Sequence, residues 1–136
     1  MKMPIEAEIY WLAWTCVLTG LLWAPYILNQ LSVMGPWRAV SNSDPNAVER
    51  AGWAVRASAA HRNAVENLVV FAPLALGVGL TGAGSEATAA ACLAYFWIRA
   101  GHYLVYLLAI PVLRTVLFAL GVVCQAILAG RLLGWW

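Results

Sequence analysis

Residues Arg56–Phe71 read "RASAAHRNAVENLVVF". Arg56, His61, Arg62, Asn63, Glu66 and Asn67 crowd into about three helical turns, directly ahead of an apolar run that continues to Thr81. The whole chain is 63% apolar and only 10% charged. Charges so scarce and so concentrated do not serve solubility; they mark the place where an apolar helix meets something polar.

Soluble domains are about 45–50% apolar, and the mean hydropathy of +0.77 takes this chain well outside that class. A length of 136 residues is one domain. The net charge of +2, with no basic run, excludes a nucleic-acid partner. Cys16, Cys92 and Cys124 are widely spaced inside apolar segments, so neither a disulfide framework nor a metal site is expected. His61 and His102 have no second ligand at a metal-binding spacing, and interfacial hydrogen bonding is their simpler use.

Apolar segments of membrane-spanning length recur along the sequence. Since about 20 apolar residues cross a bilayer core, the expected fold is all-α, an integral membrane four-helix bundle with helices at about 6–31, 45–81, 85–109 and 111–134. The first is expected to be a retained span, not a cleaved signal, with a kink at Pro25. "MGPW" should end it, Ser43 or Asp44 should cap the second helix with Pro45 in its first turn, Ser85 should cap the third, and Pro111 should open the fourth. A second helix beginning near residue 45 would be roughly 55 Å long, so its first third must project beyond the hydrocarbon. Arg38, Arg50, Arg56 and Arg114 flank loops 1–2 and 3–4, which places those loops in the cytoplasm and both termini outside. Trp37 and Trp53 suit the inner interface; Trp11, Trp135 and Trp136 suit the outer. Gly130 and Gly134 have the small-xxx-small spacing of helix contacts.

On a helix, Arg56, Asn63 and Glu66 share one stripe, being seven and three residues apart, and Asn67 borders it. Arg99, Tyr103 and Tyr106 form a second stripe with His102 beside it, and Arg114 lies one turn into the last helix. Ionisable groups inside spans are costly and face a bundle interior or an aqueous cavity. One explanation is an inter-helix Glu66–Arg99 pair with Asn63 and Asn67 as hydrogen-bonding glue. The other is a site for an anionic ligand, which the surplus of Arg56, Arg62, Arg99 and Arg114 over Glu66 favours. Arg50 and Arg62 also suit contact with lipid headgroups.

These residues resemble those of a known family. "RASAAHRNAVENLVVF" followed by "YFWIRAGHYLVYLLAIPVLRT" is similar to the membrane-associated proteins in eicosanoid and glutathione metabolism, and looks closest to bacterial members. Asn63–Glu66 matches the family's N-x-x-E, Arg99–Tyr106 its R-x6-Y, and Pro111–Arg114 its P-x-x-R. The resemblance implies a homotrimer in a bacterial inner membrane, with glutathione bound as co-substrate at each subunit interface near the cytoplasmic face. It implies Arg114 as the catalytic cation beside the thiolate, and Arg56, Asn63, Glu66, Arg99, His102, Tyr103 and Tyr106 as glutathione-binding residues. Arg56 and Arg99 would take carboxylates, Asn63 and Glu66 the ammonium and amide groups, and no metal is implied. Relatives carry an arginine four residues before the Asn of N-x-x-E, where this chain has Ala59; leukotriene-forming relatives carry tyrosine where it has Asn67. His102 stands as in the prostaglandin synthase.

The function so implied is a glutathione-dependent transferase or peroxidase acting on lipophilic electrophiles or lipid hydroperoxides that arrive from membrane lipid. The alternative is a non-catalytic membrane protein that binds lipid or a small anion at the subunit interface. Arg114 favours the enzyme and Ala59 the binder. An ion or proton pathway fits less well, because the polar groups cluster toward one membrane side.

Overall fold

The computed structural model describes residues 6–41, 44 and 50–136. These form α1 (Ala7–Leu21), α2 (Ala24–Met34), α3 (Pro36–Ser41), α4 (Gly52–Thr81), α5 (Glu86–Leu107) and α6 (Pro111–Leu132), with no strand among the described residues. Three stretches are long and apolar enough to cross a membrane: Ala7–Met34 taken across its break, α4 and α6, with mean hydropathies of 1.5, 1.7 and 2.1. At 22 residues, or roughly 33 Å, α5 has the length but not the same apolar character. Arg99, His102 and the tyrosines along it lower its hydropathy. Such a helix is tolerable where neighbours shield it, and α5 packs against α1, α4 and α6.

Most helix ends follow local chemistry. Ser85 accepts a hydrogen bond from the backbone N–H of Thr88 at 3.2 Å, and Thr88 Oγ1 accepts one from the N–H of Ser85 at 2.7 Å, a reciprocal capping box. Pro111 opens α6, where its missing N–H leaves no bond unmade. α4 closes on Gly82, whose φ of +68° is the left-handed conformation that costs glycine little. At Pro25 the first helix breaks outright: α1 stops at Leu21 and α2 starts at Ala24, because a proline there cannot donate to the preceding turn.

α2 runs a little past residue 31 and stops at Met34, in the "MGPW" expected to end it, and Pro36 then begins the short α3, which the sequence did not announce. α4 begins at Gly52, not near residue 45, so it spans roughly 45 Å instead of 55 Å. Asp44, Arg50 and Ala51 are not helical, while the expected Ser43 cap and Pro45 lie outside the described residues. The N-terminal end of α4 is therefore the quoted stretch itself, with Arg56 one turn from the helix start.

Since lipid is as apolar as a leucine side chain, close packing and internal hydrogen bonds hold such helices together. Phe71 of α4 stacks on Tyr95 of α5 with ring centres 3.8 Å apart and planes 8° from parallel, in a core shared with Leu12, Ala75, Val78, Cys92, Cys124 and Leu128. Gly79 lets α1 approach α4: a Cβ there would lie 2.7 Å from Ile9. Gly130 is buried where a Cβ would meet Trp136 at 2.9 Å, but Gly134 lies beyond the end of α6 with nothing within 4 Å of its Cβ position, so within the protomer the two do not act as a small-xxx-small helix contact.

At the end opposite Arg56, the structure buries Glu8, only 2% exposed, a carboxylate that no sequence pattern marked as leaving the surface. Thr88 Oγ1 donates to its Oε1 at 2.6 Å, which ties α1 to the first turn of α5. Replacing Thr88 with valine keeps the shape but removes this donor and the capping box together. We expect Thr88→Val to lower stability by about 2–3 kcal/mol in a detergent unfolding assay, more than Ser85→Ala, which removes a cap worth about 1 kcal/mol.

Candidate functional site

Two cavities adjoin where the start of α4, the end of α5 and the start of α6 meet. The larger, about 370 Å³, is lined by Val55, Arg56, Ala59, Tyr106, Ala109, Ile110, Pro111 and Arg114. The smaller, about 230 Å³, is lined by Asn63, His102, Tyr106, Arg114, Thr115 and Phe118. Tyr106 and Arg114 belong to both and form the shared wall. The Arg114 guanidinium lies 4.7 Å from the centre of the Tyr106 ring and makes no hydrogen bond among the described residues. The ring's negative face offsets part of that charge while leaving the N–H donors free. His102 sets its ring across the edge of Tyr106, with centres 5.7 Å apart.

Arg56 anchors differently. Its Nε donates to the carbonyl of Leu107 at 2.8 Å, capping the end of α5 and fixing the guanidinium at the cavity wall. The turn beyond is tight, for Ala109 holds a φ of +58°, a left-handed conformation that costs an L-residue about 1–2 kcal/mol. Neither cavity is lined by a carboxylate. Two guanidiniums, a phenol, an amide and an imidazole with no acid among them are chemically suited to an anion.

Five of the eight candidate residues thus come together: Arg56, Asn63, His102, Tyr106 and Arg114. The other three lie elsewhere. Arg99 is 2% exposed and lines neither cavity; its Nη2 donates to Asn63 Oδ1 at 2.7 Å. Glu66 is exposed and lines a separate cavity of about 580 Å³ with Tyr26, Arg50, Ser58, His61, Arg62 and Val65. Among the described residues no Glu66–Arg99 pair forms, so Asn63 takes the place that the pairing explanation gave to the acid. The buried hydroxyl of Tyr103 donates to the carbonyl of Leu22 at 3.1 Å, at the break between α1 and α2.

With this geometry in place, the chain can be compared with known proteins. The profile of the MAPEG family matches residues 9–134, nearly the full length. The chain belongs to the MAPEG family. Searches of curated proteins and of solved structures gave no match. Membership and the three apolar helices make this MAPEG protein an integral membrane protein.

In this MAPEG chain Ala59 faces the larger cavity beside Arg56, so the position where relatives carry arginine is indeed turned toward the candidate site. Thr115 and Phe118 line the smaller cavity without having stood out in the sequence. Gln125, 8% exposed, was also missed; its Nε2 donates to the carbonyl of Asn67 at 3.2 Å and to Tyr95 Oη at 3.4 Å. A lone amide in "GVVCQAIL" was its available signal. The two tyrosines of α5 divide by role, and a pair of variants separates them. Tyr103→Phe removes a buried hydrogen bond and should lower stability by about 1 kcal/mol. Tyr106→Phe should leave the melting temperature unchanged, since its hydroxyl makes no hydrogen bond among the described residues.

Proposed function

We propose that this protein is a membrane-bound, glutathione-dependent transferase or peroxidase acting on lipophilic electrophiles or lipid hydroperoxides. One observation carries the reading: Arg56 and Arg114 meet Tyr106, Asn63 and His102 around adjoining cavities without a carboxylate, at one end of helices apolar enough to cross a membrane. MAPEG membership fits this class of activity in general. Glutathione brings two carboxylates, an ammonium and a thiol. Arg56 takes a carboxylate through the guanidinium nitrogens not spent on Leu107. Glu66, on a neighbouring face of α4, is the acid for the ammonium.

Arg114 acts on the thiol. A free thiol with a pKa of about 8.5 is largely protonated at neutral pH, and an adjacent cation lowers that value and raises the thiolate population. The Arg114 donors, left free by its seat on Tyr106, are suited to that task. Tyr106 supplies a hydroxyl to the same atom or lines the pocket. The thiolate then displaces the leaving group of an electrophile, or attacks the outer oxygen of a hydroperoxide so that the O–O bond breaks. The second course gives an alkoxide that takes up a proton and a glutathione sulfenic acid that a second glutathione converts to disulfide and water. Either substrate reaches the cavity laterally from lipid between apolar side chains. In this proposal the protomers form a homotrimer in a bacterial inner membrane, with loops 1–2 and 3–4 cytoplasmic and both termini outside.

A second reading has one observation in its favour. Ala59 leaves empty the part of the cavity wall where relatives place a guanidinium, which suits a protein that binds lipid or a small anion without turning it over.

The deciding measurement is glutathione binding to the detergent-solubilised protein, followed by conjugation to an aryl halide. Binding with turnover is expected; binding without turnover supports the second reading, and neither would end the enzyme proposal. Arg114→Ala should lower kcat roughly 100-fold with a smaller effect on glutathione affinity. Full activity in that variant would remove Arg114 from the thiolate role. Ala59→Arg should tighten glutathione binding about tenfold by restoring a charged donor to the wall.

A further inference from the structure

We propose that Arg99 is a positioning residue that decides which end of the Asn63 amide the cavity presents to its ligand; the inference rests on the proposed use of glutathione. Arg99 is 2% exposed and lines neither cavity, so it does not touch a molecule held there. Its contact with the site is the 2.7 Å bond from Nη2 to Asn63 Oδ1. A guanidinium has donors only, so the atom that faces it must be the amide oxygen. Turning the amide over would set an NH2 against the buried guanidinium, leaving donors opposed.

The backbone at Asn63 is held as well. Asn67 Nδ2 donates to the Asn63 carbonyl at 2.9 Å, and Gln125 Nε2 donates to the carbonyl of Asn67. With Oδ1 taken, Nδ2 is the end of Asn63 left for the cavity that it lines, and it has no other hydrogen bond among the described residues. Asn63 therefore reads an acceptor, a carboxylate or carbonyl oxygen, and repels an ammonium. That reverses the assignment made from the sequence, in which Asn63 shared the ammonium with Glu66 and Arg99 bound a carboxylate directly. Nε and Nη1 of Arg99 are buried without partners among the described residues, so its positive charge stands unneutralised behind the amide and favours the same choice of an anionic group.

The test is a double-mutant cycle on glutathione affinity in the solubilised full-length protein, using Arg99→Gln, Asn63→Ala and the double variant, with Asn63→Asp and Arg99→Lys beside them. Arg99→Gln frees the Asn63 amide to turn and should weaken binding about tenfold, but should cause no further loss once Asn63 is alanine. Asn63→Asp keeps the bond to Arg99 while replacing the cavity's donor by an acceptor, and should weaken binding at least tenfold with the melting temperature retained. Arg99→Lys keeps one donor for Oδ1 and should restore most of the affinity that Arg99→Gln loses. Equal losses for Arg99→Gln in both backgrounds, or wild-type affinity in Asn63→Asp, would overturn the proposal. Should Arg99→Gln fail to fold, Asn63→Asp and Arg99→Lys decide it in the same way. Absence of glutathione binding in the unmodified protein defeats the functional proposal and this inference together, an outcome distinct from binding with an additive cycle.

Discussion

Arg99 donates to Asn63 from a position only 2% exposed, in a chain whose helices are built largely for hydrocarbon. A guanidinium there must be screened from lipid on every side, and the screening constrains the helices around it. α5, which carries Arg99, is the helix in contact with α1, α4 and α6 together. Its polar residues point inward: Thr88, Arg99, His102 and Tyr103 are all buried. The outward faces of α1, α4 and α6 are left to valine, leucine, isoleucine and tryptophan. α5 can thus carry Arg99 and His102 in its middle because the other helices supply their surroundings.

The same helix is fastened along its length by groups that bond across the packing. Glu8 meets Thr88 at its first turn, Tyr103 reaches the Leu22 carbonyl at the break in the first span, and Arg56 caps Leu107 at its end. Each bond joins α5 to a different neighbour or a different height. None is an ion pair; each places a donor on a carboxylate or carbonyl that would otherwise be buried unsatisfied. Such a scaffold fixes the C-terminal end of α5 against α4 and α6, and the cavities form where those three ends meet.

Much of the fold was legible because its signals are local. Apolar length marked the long helices; Ser85, Pro111 and Pro25 marked starts and a break through their own backbone chemistry. The seven-residue step from Arg56 to Asn63, nearly two whole turns, placed both toward the site. Glu66, three residues on, is rotated from Asn63 by an angle that a helical stripe tolerates, yet a neighbouring helix can fall between the two. Tyr103 likewise shares a stripe with Arg99 and Tyr106 while its hydroxyl serves the α1–α2 break. Spacing defines a face of a helix; only the partner helices decide where one face stops and the next begins. Glu8 and Gln125 were illegible for a related reason, since their partners lie 80 and 58 residues away.

The charge pattern of the site follows from this division. Had Glu66 pointed inward beside Arg99, the two would have neutralised each other and the amide of Asn63 would have been free to turn. Instead an amide oxygen meets the guanidinium, which satisfies one donor but cancels no charge. Arg114, seated on an aromatic face, and Arg56, bonded to a carbonyl, are likewise held by neutral partners. Three guanidiniums are thereby positioned without being discharged. In water such an arrangement would matter little, but at the edge of a low-dielectric phase their combined field is weakly screened. In the proposed function, an anion entering the cavities meets donors already oriented and charge not yet spent, so little reorganisation opposes its binding. Neutral anchoring of the cations, more than their number, is what leaves their charge unspent at this end of the helices.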